Sequence, residues 1–75
     1  MFPDEVYRLL RRRPFEPFRI FLLDGTAYDI RHPDLLIVTP SALHVSAATA
    51  KLSPLLAEGN VIIALLHVSR LEPIA

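Results

Sequence analysis

Asp24-Gly25 sits between two apolar runs, residues 18–23 and the stretch that opens at Thr26. An Asp-Gly pair flanked in this way is the strongest short-range mark of a β-hairpin. Side-chain alternation then selects the register. A two-residue loop would set Ile20 opposite Asp29 and Phe18 opposite Arg31, which brings charge into the apolar face. A three-residue loop, Leu23-Asp24-Gly25, pairs Leu22 with Thr26, Ile20 with Tyr28 and Phe18 with Ile30. Phe18, Ile20, Leu22, Tyr28 and Ile30 then share one face, and Arg19 meets Asp29 on the other. That loop needs a positive φ at Gly25, which a side chain resists. Phe21 and Ala27 also lie on the second face and require cover.

The rest of the chain is organised around this hairpin. Residues 3–12 read as a short helix. Pro3 suits its first position, Asp4 and Glu5 favour its positive end, and Val6, Leu9 and Leu10 form its apolar stripe. Pro14 stops it. A helix of this length does not hold alone, so it must dock, either at the end of the sheet or over Phe21. Residues 26–39 read as one long strand bent at Pro33, because proline cannot donate to a ladder. Residues 42–47, 61–66 and 69–72 read as three further strands. His67-Val68 forms a tight turn, and residues 48–60 form a long variable loop. Within that loop, Ser53 to Gly59 carries the signals of one or two helical turns. The expected fold is mainly β: a single domain built as a small, strongly bent, five-stranded antiparallel barrel with a short N-terminal helix.

Composition narrows the function classes. The chain has 75 residues and no cysteine, so it has neither disulfides nor a thiolate metal site. It lacks a basic leader and a membrane-length apolar run, which predicts a cytoplasmic protein with no membrane partner. Eight basic residues balance eight acidic ones, whereas non-specific nucleic-acid binding calls for a basic surface. Apolar residues make up 52%, more than so small a body readily hides. Val61 to Leu66 is apolar on both faces, and such a strand is expected to be covered on both. These features predict a homo-oligomer formed through strand edges, with Val61, Ile63, Leu65 and Leu71 as candidate interface residues.

The helix, Asp-Gly hairpin, bent strand and strand–turn–strand ending resemble the Sm-like barrel of Hfq and the Lsm proteins, and SH3-like barrels share much of this order. Two segments are more specific: Arg-Pro-Phe-Glu-Pro-Phe-Arg-Ile-Phe-Leu-Leu-Asp-Gly-Thr-Ala-Tyr-Asp-Ile-Arg-His-Pro-Asp (Arg13 to Asp34) and Leu-Leu-His-Val-Ser-Arg-Leu-Glu (Leu65 to Glu72). They resemble a family of small uncharacterised bacterial proteins, a likeness that covers about half the chain and implies no activity. The Sm-like resemblance implies assembly by pairing of the last two strands between subunits. It also implies an RNA contact where Hfq carries Tyr-Lys-His. Here those positions are Leu65, Leu66 and His67, so only the histidine is kept.

Among chemistry-bearing residues, Arg11-Arg12-Arg13 is the one basic run. It reads either as a solvated helix end or, with His67, as an RNA contact. His32, His44 and His67 lack metal-ligand spacing, and no catalytic triad, phosphate loop or paired carboxylates can be assembled. The sequence therefore predicts no metal, no cofactor and no enzyme. It predicts a self-associating structural or interaction module, with a ring that binds single-stranded RNA as the alternative.

Overall fold

The computed structural model describes residues 1–46 and 60–74. The expected loop 48–60, with its helical turn after Ser53, lies outside the described residues except for Asn60, which opens a strand. The elements are α1 (Pro3–Leu10), β1 (Phe18–Leu22), β2 (Ala27–Ile30), β3 (Leu36–Val38), β4 (Ala42–Ser46), β5 (Asn60–Ala64) and β6 (Val68–Pro73), with 3₁₀ turns at Pro33–Leu35 and Leu65–His67.

The hairpin adopts the three-residue loop. Phe18 pairs with Ile30, Arg19 with Asp29, Ile20 with Tyr28 and Phe21 with Ala27. The Leu22 N–H donates to the Thr26 carbonyl at 2.8 Å and the Gly25 N–H to the Leu22 carbonyl at 3.0 Å. Gly25 has φ +91°, so glycine is demanded here by backbone conformation rather than by space.

The strands form two open three-stranded sheets, β2-β1-β6 and β3-β4-β5. This corrects the expected closed five-stranded barrel. The cause lies at Pro33. Proline begins a 3₁₀ turn closed by Leu35 N–H to the His32 carbonyl at 3.1 Å, and that turn divides the expected 26–39 strand into β2 and β3. The ladder does not continue across the break, so the strand count becomes six. The second corner also differs from expectation. Strand character ends at Ala64, and Leu65 enters the turn as its buried anchor.

Both sheets turn their inner faces onto one core. Phe18, Ile20, Ile30 and Val68 come from the first sheet, and Leu36, Leu43, Val45 and Ile63 from the second. Leu65 enters from the turn and Val6 from the helix. Each such side chain contributes roughly 1.5–3 kcal/mol on full burial. The helix ends at Leu10, two residues short of expectation, with Arg11 as its C-cap. It docks against β3 and not over Phe21. Phe21 is instead covered by its cross-strand partner Arg70, whose guanidinium carbon lies 4.0 Å from the ring centroid.

Adjacent isoleucines on β5 have opposite fates: Ile63 is 4% exposed and Ile62 67% exposed. Ile63→Ala is expected to cost about 2–5 kcal/mol, a large part of the stability of so small a domain. Ile62→Ala is expected to stay within about 0.5 kcal/mol. Urea unfolding at low micromolar protein checks both, and a larger loss from Ile62→Ala than from Ile63→Ala would show that β5 faces the other way.

Candidate functional site

The structure distributes the expected RNA-contact residues. The Arg11 guanidinium donates to the Tyr7 hydroxyl at 2.9 Å and lies 5.3 Å from that ring's centroid. Arg12 pairs with Glu16 at 3.1 Å, both well exposed, and Arg13 donates to the Arg12 carbonyl at 2.9 Å. Arg12 lines a hollow of about 180 Å³ with Leu9, Glu16, Phe18 and Pro73, at the start of β1. His67 lies beside Leu22, Leu23 and Asp24, at the other end of the same strand. Five residues of strand separate the two ends, about 13 Å at 3.3 Å per residue. The arginines and the histidine do not converge.

The residues expected at an interface are used inside the subunit. Ile63 and Leu65 are buried in the core, and Val61 and Leu71 pack against it half-buried. The outward set on β5 is Ile62 and Ala64, the alternate positions of the same strand.

The outer faces of the two sheets differ in kind. On β2-β1-β6, Arg19 donates to both Asp29 carboxylate oxygens, at 2.6 and 3.2 Å, and Arg31 reaches Asp29 at 3.3 Å. The hydrogen bonds from Asp29, and then its charge, hold the Arg19 guanidinium above its ordinary pKa. Arg70 pairs with Glu72 on the same strand. The outer face of β3-β4-β5 carries no Asp, Glu, Lys or Arg among the described residues. Register sets Ile37, His44 and Ile62 in one row across its three strands. Ile37 is 60% exposed, and Leu66, at the adjoining turn, is 84% exposed. Leu66, His67, Ile62, Ala64, Ala42 and Pro40 border a shallow apolar hollow at the end of this face. This face is the candidate site. Its signal in the sequence is an absence: no charged residue stands between Asp34 and Lys51 or between Glu58 and Arg70. The uniform apolarity of Val61 to Leu66 conceals which set points outward.

Among the described residues no group of three or more His, Cys, Asp or Glu is placed to hold a metal ion, and no helix is long and apolar enough to cross a membrane. Comparison with known protein families, with curated proteins and with solved structures finds no match for this chain.

The Asp24 carboxyl is held below its ordinary 3.8, first by the Thr26 backbone N–H and then by a Thr26 side-chain hydrogen bond; the charge of nearby His67 acts in the same direction. The Thr26 N–H donates to Asp24 Oδ1 at 2.9 Å. A carboxyl depressed in the folded state contributes stability that is complete above its unfolded pKa and lost as pH falls through the folded one. Asp24→Ala is therefore expected to be less stable than the parent at pH 7, with the difference shrinking as pH drops below about 3.8. Denaturant midpoints from pH 7 to pH 2 measure this. A difference that persists at pH 2 would assign the loss to the turn backbone rather than to the carboxylate.

Proposed function

We propose that this chain is a non-enzymatic module that associates with copies of itself and serves a structural or interaction role. The observation that carries the reading is the exposure of Ile37, Ile62 and Leu66 on one uncharged sheet. Monomeric soluble proteins seldom leave large contiguous apolar patches in water unless the patch meets a partner. Two further points support it. The outer edges of β5 and β6 have no strand partner among the described residues, and open edges invite pairing with another chain. The net charge of zero offers no repulsion between copies. The succession β6-β1-β2, Pro33 bend, β3-β4-β5 supports the finer reading of the fold as an opened Sm-like arrangement.

Single-stranded RNA is the second reading, resting on Arg11, Arg12, Arg13 and His67. It draws less support, because Arg12 is paired, Arg11 lies on Tyr7 and His67 sits at the far end of β1.

Light scattering coupled to size exclusion at 100 μM or so is expected to report a mass above that of one chain, since weak homomeric contacts populate in the high-micromolar range. A monomer at that concentration would reject self-association. Filter binding of a short single-stranded RNA at low salt is expected to show none, and affinity that falls steeply with salt would favour the second reading.

A further inference from the structure

We propose that Asp24-Gly25 is a covalent modification site, where aspartate rearranges to isoaspartate with water as the only co-reactant, and that the folded hairpin keeps the site shut until its tip opens.

The reaction is intramolecular. The Gly25 backbone nitrogen attacks the carboxyl carbon of the Asp24 side chain. An N–C bond forms, a C–O bond breaks, and the amide proton departs with the leaving oxygen as water. The product is a five-membered cyclic imide. Water then adds to one of its two carbonyl carbons and breaks the C–N bond there. Addition at the side-chain carbonyl restores aspartate. Addition at the main-chain carbonyl leaves the chain running through the Asp24 side chain and sets the former backbone carbonyl free as a carboxylate. Nothing is oxidised or reduced, and the water lost is regained.

Sequence singles out this aspartate. The attacking nitrogen must be unhindered, and glycine carries no Cβ. The other aspartates precede Glu5, Ile30 and Leu35, and the single asparagine precedes Val61, all of them bulkier neighbours. Asp24, Gly25 and Thr26 are exposed, so water reaches the site.

The fold supplies the seal. The attacking group is engaged, because the Gly25 N–H donates to the Leu22 carbonyl at 3.0 Å. The carboxyl under attack is engaged as well, because the Thr26 N–H donates to Asp24 Oδ1 at 2.9 Å. That bond favours the carboxylate, whereas ring closure starts from the neutral acid, whose hydroxyl is the better leaving group. The Leu23 N–H donates to the His67 carbonyl at 2.9 Å and moors the tip to the turn before β6. Ring closure needs these bonds undone together, which is a local opening of the tip. A reaction that proceeds only from an open state follows the population of that state. Its product adds one atom to the main chain of a three-residue loop. Hairpin register depends on loop length, so the rearranged chain does not rebuild the same tip.

The test incubates the whole chain in water enriched in oxygen-18, folded in native buffer and unfolded in guanidinium chloride at the same neutral pH. Digestion in ordinary water and mass mapping follow. Each hydrolysis of the imide brings in one heavy oxygen, and isoaspartate separates from aspartate by retention. Isoaspartate at Asp24 is expected roughly 10- to 100-fold more slowly in the folded chain, in step with the hydrogen-exchange protection of the Gly25 amide. The peptides holding Asp4, Asp29 and Asp34 are expected to stay unlabelled over the same period. An unfolded chain without product at Asp24 overturns the site. Equal rates in the two states overturn the seal. A slowdown that departs from the protection of the Gly25 amide overturns opening of the tip as the gate.

Discussion

The burial of Phe18 and Ile20 on β1 is the constraint on which the structure depends. β1 is the middle strand of its sheet, hydrogen-bonded to β2 on one side and to β6 on the other. Phe18 and Ile20 point inward and are fully enclosed, and the outward side chains, Arg19 and Phe21, carry the charged row and the Arg70 contact. Pairing β1 with β6 closes most of the chain into a loop, which costs entropy that grows slowly with length. Apolar burial on the inner side offsets that cost. The local hairpin supplies half of the arrangement cheaply, since its turn is set locally by Gly25 and by the Thr26 N–H bond to Asp24.

The two sheets share a core but present opposite surfaces to water. One is tied by Arg19–Asp29 and Arg70–Glu72 and suits solvent. The other offers Ile37, His44 and Ile62 in a row and no formal charge among the described residues. Among the described residues, Ile37, Ile62 and Leu66 stand exposed on this face and its adjoining turn, while Phe2, Tyr7 and Leu23 stand exposed elsewhere. The difference in charge between the sheets turns a general expectation of association into a particular face.

What the sequence made legible follows from how strongly each segment alternates. Around Asp24-Gly25 the alternation is sharp, and register, face and glycine conformation could all be read from it. At Pro33 the residue type announces an interruption, but a bend within one strand and a turn between two strands look alike until the hydrogen bonds are traced. In Val61 to Leu66 every position is apolar, so the period of two carries no information. Ile63 and Leu65, expected at an interface, lie inside, while Ile62 and Leu66 lie outside. The cover for Phe21 was also illegible, because it comes from Arg70, nearly fifty positions later in the chain, and only the β1–β6 register brings the two together.

The 3₁₀ turn Leu65–His67 is fastened at both ends: the Leu65 N–H donates to the Ser41 carbonyl at 3.0 Å, and the Leu23 N–H donates to the His67 carbonyl at 2.9 Å. One bond belongs to the β4 side of the molecule and the other to the hairpin tip, with Leu65 itself in the core. Three residues thus rivet the two layers, through two backbone hydrogen bonds and one buried side chain. Heating should dismantle the whole body in a single cooperative step, without a half-melted species.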